Sequence, residues 1–467
     1  MEDTAKFCIE YLQKKGCEYA EVRIEEKDVN GFVLKNGIVE LSGFDTIKGM
    51  GTRFLINKTL GFISLNDFNK NKIKENLDRA LRITKKSAEF SDNTEFTDEA
   101  SINTKYGVDQ RIKFSNVSVE EKLKSLKEVH KTIESKNLMA VFLSLNDEVV
   151  KKIYVNSEGT KIHSEIPRLE FFYNLTLKEN NLTSQRFSQF GATTGWESFK
   201  KWNLIQHITR ERDALIKNLK EGVKLKNEKM DLVVSPEITG IMVHESCGHP
   251  CEADRILGRE SAQAGESFIT AKMIGDKVGS KEVNIVDDPL IEGGYGYFLY
   301  DDEGVKGRRN YLYKEGKIAG FLHNRETAKA MGIKSLGCAR ASDYDKETIV
   351  RMSNTFLLKG SYSENELIKD VKKGIFMKSY MEWNIDDKRW NQKYTGAESY
   401  LIENGKITKP IRNPSIEITT PKLWSSVDAV GKNFELHAGS CGKGEPLQGI
   451  PVTFGGPSMR LRNVWIR

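Results

Sequence analysis

The placement of glycine is the strongest constraint this chain puts on its own fold. Residues 1–230 hold 12 of the 38 glycines and residues 231–467 hold 26. Glycine weakens helix and strand interiors and permits tight turns and close backbone approach, so the two parts must be built differently. The first shows clear helical stripes between strands. The second is a succession of turns and short strands after an opening strand and helix. The expectation is an α+β protein of 467 residues, long enough for two or three domains. Residues 1–220 read as an N-terminal α/β domain with helices on an antiparallel sheet, and 221–467 as a β-rich C-terminal domain. A polar stretch of low periodicity at 92–117 marks a boundary between two sub-units of the first.

Local patterns fill in this outline. Ala5, Cys8, Ile9 and Leu12 recur at helical spacing ahead of Gly16, which predicts a helix over 3–15. Val22 and Ile24, a Lys35-Asn36-Gly37 turn and Ile38-Val39 predict a hairpin, and 47–56 and 60–64 two further strands. Ile73, Leu77, Ala80 and Leu81 line a second helix. A third opens on a Ser118/Glu121 capping box and aligns Val119, Leu123, Leu126, Val129 and Ile133. His130 lies beside that stripe, the setting of a packed histidine rather than a ligand. Strands are expected at 139–145, 149–155, 160–165 and 168–177, and a helix at 205–219. In the second part a buried-type strand at 230–234 runs into Ser235-Pro236-Glu237, a helix start with a cap, a proline at the first position and an acid in the first turn. Hairpins are expected through Lys314-Glu315-Gly316 and Glu403-Asn404-Gly405.

Charge and hydropathy exclude several functions. Lysine plus arginine number 72 and aspartate plus glutamate 66, interleaved with no dense basic block, which argues against nucleic-acid binding. Mean hydropathy is −0.50, and no apolar run approaches the ~20 residues that cross a bilayer. The start, MEDTAKFCIE, is acidic and amphipathic and does not resemble a secretory signal, so a cytoplasmic protein is expected. The six cysteines, Cys8, Cys17, Cys247, Cys251, Cys338 and Cys441, are then reduced and free to be buried thiols or metal ligands.

The chemistry concentrates at His244-Glu245-Ser246-Cys247-Gly248-His249. Two neutral imidazoles bind a divalent metal, Zn²⁺ first among them, and an adjacent carboxylate is placed to take a proton from water that the metal acidifies. Zinc peptidases space these histidines at i and i+4; here the second is at i+5. On a regular helix i and i+5 lie about 140° apart, against about 40° for i and i+4. The helix must therefore end or bulge near Gly248 so that His249 swings back, helped by Pro250, which is expected to push His249 out of the α region. A catalytic metal needs a third protein ligand and an open position. Cys441, flanked by Gly439, Gly442 and Gly444, is the first candidate, with Lys443 placed to favour its thiolate. His437, Cys247 and Cys251 are rivals, though Cys247 is cramped between the two histidines.

Several motifs in one order resemble the TldD/PmbA family of metallopeptidases, on its TldD side. They are GMGTR (49–53), GFIS (61–64), HESCGHPCEAD (244–254), DDEG (301–304), RMSNTFLLKG (351–360), YLIENGKI (400–407) and GSCGKGEPLQGIPVTFGGPSMR (439–460). The resemblance covers most of the chain. It implies a zinc-dependent peptidase acting on short or unfolded peptides, one Zn²⁺ held by His244, His249 and Cys441, and Glu245 as general base, all on a metal-bearing helix and a distant loop. It also implies a homodimer, or a heterodimer with a sister subunit lacking the metal motif, around a cavity that admits extended chains. Two other readings stand beside it: a non-catalytic regulatory protein of the toxin–antitoxin or gyrase-modulating kind with a structural metal, and an amidase or esterase with the same metal chemistry.

Overall fold

The computed structural model of the chain describes residues 1–91, 93–260 and 265–467. Helix α1 (Glu2–Lys14) buries Ala5, Cys8, Ile9 and Leu12, the stripe read from the sequence. Strands β1 (Tyr19–Lys35), β2 (Ile38–Ile56) and β3 (Thr59–Leu65) follow. Between the first two, Asn36 and Gly37 take φ of 49° and 80°, the left-handed pair that a tight hairpin requires. Then come α2 (Lys70–Ser87), β4 (Asn103–Gly107) and α3 (Val119–Ile133), whose Glu121 N–H donates to Ser118 Oγ at 3.2 Å. Of the polar stretch 92–117, residue 92 lies outside the described residues. The series closes with β5 (Leu138–Asn156), β6 (Lys161–Glu179), β7 (Leu182–Ala192), α4 (Glu197–Lys201) and α5 (Leu204–Glu221).

These strands form one seven-stranded sheet in the order β3-β2-β1-β5-β6-β4, with β7 also on β6. Every pairing is antiparallel except β4 with β6. The four strands expected between 139 and 177 are in fact two long ones. Asn146-Asp147 reads as a turn, but Asp147 is buried mid-strand and pairs with Lys122 of α3 at 2.8 Å. Pro167 likewise stays in register, opposite Val149. Strand β7 carries Ser184, Arg186 and Ser188 among its apolar residues, so no clean alternation announces it. Two apolar clusters share the long strands. Helices α1 and α2 pack on Val22, Ile24, Met50 and Phe54; α3 and α5 pack on Phe32, Leu34, Leu143 and Phe171. His130 rests against Gly37, where a Cβ would lie 3.0 Å from its ring.

The other face of β1 and β2 is charged yet buried. Arg53 Nε pairs with Glu21 at 2.7 Å and its Nη2 with Glu303 of the second part at 2.6 Å. Gly49 and Gly51 leave room there for Tyr344, since a Cβ at either would fall 2.2 or 2.4 Å from it. This polar layer joins the first sheet to a second of 13 strands. In the second, β8 (Glu228–Val234) leads through Ser235, whose Oγ accepts from Ile238 N–H, into α6 (Pro236–Val243). Every residue of α6 is buried. Gly240 lets it approach the last strand, for a Cβ there would sit 2.7 Å from Phe454 and 2.8 Å from Gly455. That strand, Gln448–Ile466, forms a long terminal hairpin with Val427–Lys443 and pairs with β8 on its far side. The expected hairpins at Glu315-Gly316 and Asn404-Gly405 both form, each pair at positive φ. Among the described residues no helix is long and apolar enough to cross a membrane.

Candidate metal centre

The helix that starts at Pro236 changes pitch where the sequence requires it to. His244–Gly248 form a π turn, and the His249 N–H reaches back five residues to the His244 carbonyl. One turn now closes in five residues, so His244 and His249 face the same way, with ring centroids 4.8 Å apart. His249 itself stays α-helical, at φ −59° and ψ −43°, contrary to the effect expected of Pro250. The proline has no N–H to give the helix, and the Ser246 carbonyl four residues back is satisfied instead by Trp424 Nε1–H at 3.0 Å. Gly248 is required by packing: a Cβ would lie 2.0 Å from Met352 Sδ.

The terminal hairpin brings in the third donor. Cys441 sits opposite Ile450. Arg351 fixes the hairpin there, donating from Nη2 to the Cys441 carbonyl and from Nη1 to Gln448 O at 3.0 Å. Cys441 Sγ lies 3.6 Å from His249 Nε2, and the three donor atoms are all within 4.8 Å of one another. Zn–S and Zn–N bonds of ~2.3 and ~2.05 Å at a tetrahedral angle put sulfur and nitrogen about 3.6 Å apart. The set therefore fits a zinc ion. His244 Nδ1 is buried without a hydrogen-bond partner, the mark of a ring whose orientation the protein alone does not account for. Burial raises the Cys441 thiol pKa, but His249, Arg351 and His244 outweigh it and hold it well below the usual thiol range. The thiolate in turn raises His244 against the opposing effect of burial.

A carboxylate behind His249 holds its ring in place. Glu252 Oε2 accepts from His249 Nδ1 at 2.9 Å and from Arg255 Nε at 2.6 Å, which leaves Nε2 toward Cys441. Burial opposes its charge, but Lys443, His249 and Arg255 hold it well below the usual carboxylate range. Glu252 escaped the sequence reading, although an acid three residues after a ligand histidine was the available signal. Lys443 acts differently from expectation. Its Nζ is committed to Asp254 at 2.7 and 2.8 Å and to the Val350 carbonyl, so it ties the hairpin to the helix end rather than charging the thiolate.

The rival donors stand apart from this group. His437 lines the same cavity, but burial pushes it down to about 4 and its Nε2 has no hydrogen-bond partner. Cys247 and Cys251 point into the apolar core; burial, then Cys251, raises the Cys247 thiol well above its ordinary value. Such thiols are inert.

Glu245 lines a cavity of about 420 Å³ together with His244, His249 and Cys441. Its Oε1 accepts from Trp383 Nε1 at 3.0 Å and its Oε2 from Arg389 Nη1 at 2.7 Å. Arg389 occupies a hairpin turn at φ 61° and is 8% exposed, so an arginine from a loop is drawn inward to a carboxylate. No pattern in the sequence marks Arg389 or Trp383; only the fold carries them there.

A buried His/His/Cys donor set beside a carboxylate, open to a cleft, is a site of the metal-dependent hydrolase class. Comparison with known proteins agrees with that class. Profiles of PmbA/TldA metallopeptidase domain 1, central domain and C-terminal domain match residues 20–88, 112–216 and 227–467. A protein named metalloprotease MJ0996 from Methanocaldococcus jannaschii is 33% identical, with 97% of each chain covered. A zinc metalloprotease TldD homolog from Saccharolobus solfataricus is 25% identical over 98% of each. The crystal structure of TldE from Thermococcus kodakarensis superposes with a TM-score of 0.73 at 18% identity, covering 100% of this chain and 99% of that one. The chain belongs to the PmbA/TldD metallopeptidase family.

Proposed function

We propose that this protein is a zinc-dependent peptidase that hydrolyses peptide bonds in short or unfolded chains, with His244, His249 and Cys441 holding the ion and Glu245 as general base. The observation that carries the reading is the convergence of three donors within 4.8 Å, with Glu245 lining the cavity onto which they open. When bound, the ion supplies Lewis acidity toward a substrate carbonyl and makes water acidic enough to ionise near neutrality. Glu245 accepts the proton of the attacking water at an Oε and returns it to the departing amine. Each of its oxygens keeps a second lone pair beside the bond from Trp383 or Arg389, so the two donors orient the carboxylate without consuming it. Glu252 fixes which ring nitrogen of His249 carries hydrogen.

Over residues 434–443 the strand Val427–Lys443 pairs, among the described residues, with the terminal strand alone, and residues 437–442 of it line the cavity. An extended peptide adding to this free edge takes main-chain hydrogen bonds without regard to sequence. That mode suits unfolded chains and excludes folded ones, and favours peptides over small esters. A structural metal has no need of a carboxylate held in the cavity, which favours catalysis over a regulatory role. The likeness to TldE, together with Ile38, Leu41 and Phe44 exposed along the part of β2 that pairs with β1 but that β3 does not cover, supports pairing with a second subunit of the same fold, read directly by mass photometry. The peptidase reading is tested by metal analysis and peptide cleavage on wild type and Glu245→Gln. The variant is expected to retain zinc and lose on the order of 10²–10⁴ in turnover; undiminished turnover removes Glu245 from the mechanism.

A further inference from the structure

A second cavity, of about 250 Å³, lies between the two sheets and shares Ser440 with the first. Ser440 precedes Cys441 on the strand Val427–Lys443 and lines both cavities, so the second space begins one residue from the donors. The cavity is heavily charged, but its carboxylates have partners. Glu148 is held by Arg168 at 3.1 Å and Glu25 by Arg23 at 2.7 Å. Asp302 pairs with Lys152. Asp301 accepts three backbone N–H groups, from Glu303, Val305 and, at its other oxygen, Ala339; burial, then Glu303, holds it well above the usual carboxylate range.

Arg340 is the exception. It is 6% exposed, lies over the Phe298 ring at 5.4 Å and donates one hydrogen bond, from Nη1 to the Met352 carbonyl at 2.8 Å. Among the described residues no carboxylate lies within ion-pair distance of it, and its remaining N–H groups have no protein acceptor. Burial lowers the guanidinium to about 9, with Arg168 and Arg351 adding to the effect and Asp302 and Asp287 opposing it. Arg168 lines the same cavity, and its buried Nε also lacks a partner. A buried, unpaired cation is costly, and more so beside a second guanidinium, here one already paired with Glu148, unless an anion arrives to share them. A guanidinium fork offers a carboxylate two parallel hydrogen bonds.

Resting on the peptidase reading above, we infer that Arg340 and Arg168 form a subsite for a carboxylate of the bound peptide, displaced along the strand from the bond that is cut. The carboxylate comes from the peptide's C-terminus or from an aspartate or glutamate side chain. The test is binding of fluorescent peptides to the Glu245→Gln protein, in which cleavage is suppressed. One pair of peptides differs by free acid against C-terminal amide, and a second pair by glutamate against glutamine. The carboxylate member of one pair is expected to bind at least tenfold tighter, which tells the two sources apart. Adding Arg340→Gln is expected to bring that ratio below twofold, while Arg340→Lys keeps part of it. Because Arg340 also holds the Met352 carbonyl, Arg168→Gln provides a second variant, and thermal melts establish that each is folded. Equal binding within both pairs overturns the subsite, as does an undiminished ratio in folded Arg340→Gln, failure of the acid-bearing peptides to bind, or inorganic phosphate competing as strongly as the peptide. A protein that shows the preference but whose wild type cleaves none of the four peptides overturns the peptidase reading and leaves the subsite standing.

Discussion

Single side chains decide whether the three donors can act as one. His249 presents Nε2 to Cys441 because Glu252 occupies Nδ1. Glu252→Gln keeps the shape and an acceptor but removes the charge that Arg255 and Lys443 surround. Zinc affinity is expected to fall by roughly 10–100-fold, measured by competition with a chromogenic chelator; unchanged affinity denies Glu252 this part. His323 shows the same logic applied to stability. It is 1% exposed, and burial pushes it down to about 4, whereas an unfolded histidine titrates near ~6.5. Between those values the unfolded chain holds the extra proton, so stability is full above about pH 6.5 and is lost as pH falls toward 4, by ~1.4 kcal/mol per unit. Urea unfolding at pH 7 and pH 4.5 should differ less in His323→Gln than in wild type, and an identical difference in both excludes His323 as a source.

At the scale of an element, the π turn matters most. The histidine spacing and Gly248 told of a break in the helix, but not of its kind. The turn that forms keeps every residue helical and adds one residue to the circuit, which the sequence cannot distinguish from a helix end. Its position is enforced by Met352, which leaves no space for a side chain at 248. Gly248→Ala is therefore expected to cost ~1–3 kcal/mol from overpacking and to lower zinc content. Adding Met352→Ala should restore the metal while leaving a cavity. If the double variant binds zinc no better than the single, the obstruction lies elsewhere. The long strands β5 and β6 teach a related lesson. Asn146-Asp147 and Pro167 have turn chemistry, and only a partner 25 residues away, Lys122 for Asp147, explains why the chain continues straight.

Across the whole molecule, the two parts meet through an apolar cluster of Leu177, Leu215, Leu219 and Ala397 and, beside β1 and β2, through charges. Arg53 answers Glu21 in its own sheet and Glu303 in a turn of the second part, while Glu303 also accepts the Arg325 N–H at 2.7 Å. The G-x-G-x-R pattern at 49–53 is legible as a motif; its cause, a strand pressed against Tyr344 with an arginine bridging to a turn of the second part, is not. Arg53→Met leaves two buried carboxylates uncompensated and is expected to cost about 3–5 kcal/mol, read from chemical denaturation. A loss below ~1 kcal/mol would mean that water reaches this layer.

The sequence by itself determined the helical stripes, the hairpin turns, the α+β character and the break between His244 and His249. Each of these is fixed by residues within a few positions of one another, where backbone sterics and spacing act directly. Only the tertiary structure decided that Cys441, 192 residues from His249, joins the histidines in place of His437 or the nearer cysteines. It alone directed Lys443 to Asp254 and carried Arg389 and Trp383 to Glu245. It also left Arg340 buried with no carboxylate within ion-pair distance among the described residues. Those outcomes depend on which surfaces are excluded from water together, and desolvation is set by the packing of distant segments, which no local pattern encodes.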